Sequence, residues 1–459
     1  MAPACIAGPK RSDAALIVGL TVLASVLPLI VTTRWYDHYY WPKVQVLYAV
    51  LLILTPIALW TDRARWLRNL RSPVGIALAV WLALVAVSTA LSVNPLLSVV
   101  GEDYRYEGLL TWLAYGAVVA GVAGTFTAPG RIRLLLAATY AAAGVMAALG
   151  LLQQFGWTPV PEDVTRIGWA RAWGTTGSPL ALGAYLVLLL PLLISLYTGA
   201  DVGRRRWIWG GLGVLMCAAL AATGSRAAWG GSVLGIAAWG VASGRERLAV
   251  AARPLILLGV ACAVATFTVL RISPPAVSGH TASVKPVEQR MVLWTTVAPL
   301  VLKRPLLGWG PETLAEIYPA YKSPVFLRAF PEAAMQSIYV DRPHNDLLQQ
   351  AVAMGLAGLA AYLWLWATIF ASAWRAARGA VHRDRTTGLA AGLLGAFVAY
   401  FVQLQFSFSY VSVAPVFWSF VGLALVLDRN TRDRSLSGGT GLRAGTAAGS
   451  ETDVRAVYG

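Results

Sequence analysis

Apolar runs separated by short polar turns fill most of the chain, at 14–31, 44–60, 74–92, 109–127, 134–154, 180–198, 207–223, 227–243, 254–270, 346–374, 386–404 and 413–427. Each is near the roughly 20 residues that a helix needs to cross the hydrocarbon of a bilayer. The pattern predicts an all-α, polytopic membrane protein of about twelve transmembrane helices. Lys10 and Arg11 precede the first run, as they would in a signal peptide. The run gives way to Thr32-Thr33-Arg34-Trp35-Tyr36 and not to a small-residue cleavage pattern, so it reads as a retained helix.

One long polar interval, about 271–345, breaks the series. It holds Glu288, Arg290 and Trp294, then Lys303 to Pro311, and it closes on Asp341-Arg342-Pro343-His344-Asn345. Loops can present reactive groups that lipid cannot solvate, so function is expected here. Val292, Val297 and Leu300 stand among polar positions, the pattern of an amphipathic helix lying on a membrane surface. Residues 1–428 read as one transmembrane domain. Residues 429–459, rich in Gly, Ser, Thr and Arg, carry too little apolar surface to fold and read as a disordered cytoplasmic tail.

Composition agrees with a membrane protein. Of 459 residues, 57% are hydrophobic and 13% charged, against about 25% charged in a soluble domain. The net charge of +16 would suit nucleic acid, but basic loops facing an anionic leaflet explain it without one. With the N-terminus in the cytoplasm, 23 basic residues fall on inward segments and six on short outward loops. Loop 61–73, with Arg63, Arg65, Arg68 and Arg71, is among the inward ones. That bias puts both termini in the cytoplasm and the long interval outside. The three cysteines have neither disulfide nor metal spacing.

Candidate chemistry gathers near the outward helix ends, while the span interiors lack charges of the kind an ion-coupled transporter buries. Arg226, in the short turn Thr223-Gly224-Ser225-Arg226, is open to two roles: an interfacial anchor that snorkels, or a guanidinium fork aimed at phosphate. Arg290 is either a solvated loop residue or a second such group. His344 stands just before an apolar helix, where it could brace the helix start or accept a hydroxyl proton. The outward acidic residues, Glu107, Glu312, Asp341 and Asp346 among them, include no Asp-x-Asp pair, so no metal is expected.

Four stretches carry a family resemblance. They are Gly101-Glu-Asp-Tyr-Arg105-Tyr-Glu-Gly108-Leu-Leu; Arg171-Ala-Trp-Gly174-Thr-Thr-Gly177-Ser-Pro179; Gly224-Ser225-Arg226; and the set Arg290-x3-Trp294, Pro305-Leu-Leu-Gly308-x-Gly310 and His344-Asn345…Gly355-x2-Gly358. In this order they resemble the O-antigen ligase and O-antigen polymerase superfamily of membrane glycosyltransferases, of the GT-C type. Two positions depart from the family pattern: Ser178 replaces a usual Asn, and Ala353 stands where many relatives carry Glu.

The resemblance implies a ligase-type core at about 207–374 and inverting transfer of a glycan from undecaprenyl pyrophosphate to an acceptor hydroxyl, with neither cofactor nor metal. The acceptor would be a glycan or lipid A-core. Carried over, Arg226 and Arg290 would bind the pyrophosphate and His344 would activate the acceptor. Arg105, Arg171, Arg342 and Asn345 would be additional substrate contacts. The setting would be the bacterial inner membrane, with the site facing the periplasm. Ligase and polymerase share this pattern; a lipid-linked glycan flippase and a non-catalytic assembly scaffold are the rivals from other classes.

Overall fold

The computed structural model describes residues 11–158, 171–201, 203–272, 285–321, 328, 340–379 and 385–441. The described residues form helices and connecting turns, with no β-strand among them. In chain order the helices are α1 (Arg11–Ser25), α2 (Trp41–Leu70), α3 (Pro73–Ala90), α4 (Pro95–Val100), α5 (Leu109–Thr125) and α6 (Pro129–Leu152). Then come α7 (Pro179–Gly199), α8 (Arg204–Thr223), α9 (Arg226–Ser243), α10 (Arg245–Ile272) and α11 (Lys285–Lys303). Last are α12 (Leu314–Ile317), α13 (Asp346–Arg378), α14 (Arg385–Leu404) and α15 (Ala414–Gly441). Seven of these helices are long and apolar enough to cross a membrane, and three shorter ones are apolar as well.

Short polar residues set the starts. Ser72, Asn94 and Ser178 each accept a hydrogen bond from a backbone N–H of the first turn, and each is followed by proline. A capping oxygen satisfies one orphan donor, and proline at the first position has no N–H to leave unpaired. Helix α7 is buried almost throughout and packs on α8, α9 and α14. Helix α10 is peripheral: it rests mainly on α8, and Val260, Val264 and Phe267 are exposed, as lipid-facing residues would be.

Polar contacts gather at the two ends of the bundle. At one, Lys43 Nζ, fully buried in the first turn of α2, donates to the carbonyls of Ile30, Tyr39 and Thr175. There too Gln153 bonds the 173–174 backbone, and Asn345 bonds Gln405. At the other, Arg131 pairs with Asp13, and Asp428 with Arg375 and Arg432. Successive long helices therefore alternate in direction.

Three expectations change. The arginine-rich stretch after residue 61 continues α2 as helix to Leu70, with Arg71 as its C-cap; arginine is a good helix former, and no glycine or proline interrupts the stretch. Residues 429–441 are helical, not disordered. Arg429 reaches Asn69 Oδ1 of α2, tying the extension of α15 to the bundle, and Arg432 reaches Asp428 one turn back in α15, while 442–459 lie outside the described residues. The amphipathic helix of the long interval exists as α11, but protein covers its apolar side. Leu293, Val297 and Leu300 pack with Trp309, Leu314 and Tyr318 in a second, smaller core. Much of the rest of that interval, 273–284, 322–327 and 329–339, lies outside the described residues.

Helix α13 is broken inside. Gly355 has φ 66 and ψ −169, which frees backbone groups on both sides of it. The turn 305–310 takes them up. Trp309 N donates to Val352 O at 3.0 Å and Gly310 N to Ala353 O at 2.9 Å, while Leu356 N donates to Pro305 O at 2.7 Å. Ser88 Oγ of α3 donates to Ala353 O at 2.9 Å as well. This lock fixes the first part of α13, which follows His344, relative to the turn that carries Glu312.

Candidate active site

Three arginines from three segments meet where α8 ends and α9 begins. Gly224 adopts the left-handed conformation (φ 58) that ends α8, and Ser225 caps α9, which makes Arg226 its first residue. Arg171 Nε donates to Thr223 O, the last residue of α8, at 2.6 Å. Arg290 approaches from α11. Burial and then Arg290 push the Arg171 guanidinium down to about 10, with Arg226 acting in the same direction. Arg290 is lowered too, by burial first and then by Arg226 against the opposing Tyr410. Arg290 and Arg226 thus both bear on Arg171, and Arg226 bears on Arg290. Like charges held together out of water make a strong site for a polyanion.

His344 lies beside this cluster, in a left-handed backbone conformation (φ 54). Its ring packs on Phe408 at 5.2 Å between centroids, and Nδ1 is buried with no hydrogen-bond partner among the described residues. Burial and then the Arg290 guanidinium push the imidazole down to about 4, against the pull of Asp341. It is therefore neutral at pH 7, with a lone pair to offer. Capping of α13 falls to Asn345, whose Oδ1 accepts from Leu348 N at 2.9 Å. Of the two roles open to His344, bracing the helix is thus performed by its neighbour. One turn beyond Arg290, Trp294 Nε1 donates to Pro343 O at 2.8 Å and ties α11 to the strap that carries the histidine.

Two of the residues expected at substrate also make internal contacts. Arg342 is 3% exposed and sits between Glu312 Oε1 at 2.5 Å and Glu107 Oε2 at 3.5 Å. Its guanidinium is therefore held in an internal ion pair with these two carboxylates. Asn345 spends its oxygen on the cap and its Nδ2 on Gln405 O at 3.1 Å, which gives it a structural role as well. Arg105 is paired with Asp341 through Nε and Nη2, each at 2.8 Å, and lies 4.4 Å above the Phe408 ring.

Sequence reasoning weighed Glu107 only as a possible metal ligand and passed over Phe408 and Tyr410. Glu107 stood two residues from a flagged arginine, and a period-based reading cannot tell a buried carboxylate from a solvated one. The segment 405–413 was read only as a turn between spans. Among the described residues no group of three His, Cys, Asp or Glu stands close enough to hold a metal.

An apolar groove of about 500 Å³ runs from this end of α8 and α9 between α7 and α10. Leu220, Ala221 and Trp229, about one turn from Thr223 and Arg226, line its near end; Leu193, Cys217 and Cys262 line it further on. The arginine cluster and an apolar groove therefore adjoin.

A search of curated proteins returns no match to the chain. Residues 211–363, which include Arg226, Arg290, Arg342, His344 and Asn345, match the family model described as O-antigen ligase. That match, which spans about a third of the chain, supports the O-antigen ligase and polymerase superfamily.

Proposed function

We propose that the protein is an undecaprenyl-pyrophosphate-dependent glycosyltransferase of the bacterial inner membrane. It moves a glycan to an acceptor hydroxyl at the periplasmic face, as an O-antigen ligase does. The observation that carries this reading is the cluster of Arg171, Arg226 and Arg290 beside a neutral His344. A diphosphate meets three guanidinium groups there, and the adjoining groove suits the apolar chain of its lipid carrier. About twelve spans, both termini in the cytoplasm and the 271–345 segment outside complete the proposal.

The acceptor oxygen attacks the anomeric carbon as the bond from that carbon to the diphosphate oxygen breaks, which inverts configuration. His344 takes the hydroxyl proton, and the electron pair leaves on the diphosphate. The arginines stabilise the charge that grows there, commonly the largest contribution in such transfers. The bound diphosphate also draws the His344 pKa upward, nearer the value that serves a general base at neutral pH.

Purified protein given lipid-pyrophosphate glycan and acceptor should form a new glycosidic bond without a gradient or divalent ion. Movement of the lipid across liposomes without product would instead identify a flippase. A polymerase would use the same chemistry on a growing chain. In a deletion strain, chains left on the carrier indicate a ligase and single repeat units a polymerase. A cysteine placed at Ser283 should react with an external, impermeant thiol reagent and one at Gly438 should not; the reverse would overturn the orientation.

A further inference from the structure

We propose that Glu107 and Glu312 are positioning residues, which act through Arg342 to hold His344 in the left-handed conformation that sets its imidazole beside Arg290. The proposal rests on the glycosyltransferase reading for its kinetic consequence and on geometry for the rest.

Among the described residues four non-glycine residues have positive φ: Tyr104 (65), Tyr106 (56), Glu312 (62) and His344 (54). All four lie in the segments that meet at Arg342. Tyr104 and Tyr106 flank Arg105 and lead into Glu107, Glu312 is itself a partner, and His344 lies two residues beyond Arg342. Backbone of this kind persists only where surrounding structure over-determines it. Here the surroundings are a buried ion network: Arg342 is 3% exposed, Glu107 1% and Glu312 4%.

Glu107 is aimed with care. Ser409 Oγ donates to its Oε1 at 2.7 Å and Tyr115 OH to the same oxygen at 3.0 Å, which turns Oε2 toward Arg342. Burial pushes this carboxyl up to about 7, against the pull of Arg342. Glu312 reaches the same guanidinium from the turn locked to the broken helix α13. Phe408 closes the group, with Arg105 at 4.4 Å, Arg342 at 5.2 Å and the His344 ring at 5.2 Å from its centroid. Since Nδ1 of His344 has no partner of its own among the described residues, the ring's place is set by its backbone and by Phe408.

The test uses full-length protein in which His38, His280 and His382 are glutamine, so that diethyl pyrocarbonate reports on His344 alone. Glu107→Gln and Glu312→Gln are compared with the parent for His344 modification rate, binding of inorganic pyrophosphate, thermal unfolding and turnover. Pyrophosphate affinity should stay within about twofold, because the arginine cluster is separate. The modification rate should change severalfold, and kcat should fall by about tenfold or more at unchanged donor KM, as expected for a displaced catalytic group. Ser409→Ala, which releases Glu107 Oε1 without removing a charge, should move both readouts the same way to a smaller extent, and it carries the test if a glutamine variant does not fold. Unchanged modification rate and kcat in the folded variants would overturn the proposal, as would loss of pyrophosphate binding in parallel with turnover. If the glycosyltransferase reading itself is wrong, the parent will show no transfer while the modification rates still answer the geometric question.

Discussion

His344 and Asn345 divide two tasks that one residue could have combined. Asn345→Ala removes the cap of α13 and should cost about 1 kcal/mol of stability, with turnover falling little. His344→Ala should lower turnover by about two to four orders of magnitude while pyrophosphate binding survives. His344→Gly should be as inactive yet more stable than His344→Ala by about 1 kcal/mol, because glycine accepts the left-handed conformation without strain. Thermal unfolding and turnover of the three variants decide the matter; an active His344→Ala enzyme would remove the general base. A second expectation concerns pH. A general base works when neutral, so on the proposed function activity should fall as pH drops through the His344 pKa, which burial and then Arg290 push down to about 4. Arg290→Gln removes one lowering charge, so the acid limb of kcat/KM should move to higher pH than in the parent. At this scale Arg226, Arg290 and His344 were legible because a lone charged or titratable group beside an apolar run is conspicuous. Which charges neutralise one another was not: Arg342 looked as available as Arg290 until Glu107, far away in sequence, was found against it.

The helices themselves were written plainly in the chain. The starts of α7, α9 and α13 fall within a residue of the apolar runs that announced them, since Ser178, Ser225 and Asn345 mark each start with a capping oxygen. The break in α13 was not legible, because the apolar pattern runs on across Gly355. Only long-range pairing with the 305–310 turn makes the break stable, and periodicity carries no long-range information. This pairing gives a prediction. A Cβ at Gly355 would overlap the backbone carbonyl of Leu306 and would have to adopt positive φ. Gly355→Ala should lose about 2 kcal/mol or more, read by thermal unfolding. Turnover should fall with it, because the turn that presents Glu312 is anchored there.

At the scale of the molecule, hydropathy gave the class, an all-helical chain with apolar helices long enough to cross a membrane, and charge bias offers an expected orientation. The assembly of a site from 101–108, 171–178, 223–226, 290–294, 341–345 and 405–410 needed the fold. Those segments converge because helices of alternating direction bring every second connection to the same end, where the three arginines crowd together. That crowding has a consequence for the catalytic cycle. The donor's diphosphate is esterified at both ends, whereas the released lipid diphosphate is free at one and carries an additional ionisable oxygen. On the proposed function, a cluster that grips growing negative charge should grip its product harder than its substrate, and the spent carrier should leave slowly. Rapid-mixing experiments should show a burst of about one glycan per enzyme followed by a slower steady rate. Adding a phosphatase that removes the terminal phosphate of the carrier should raise that steady rate and leave the burst alone. The enzyme would then depend on a downstream hydrolase to be emptied, its pace set by carrier recycling instead of by the bond it makes.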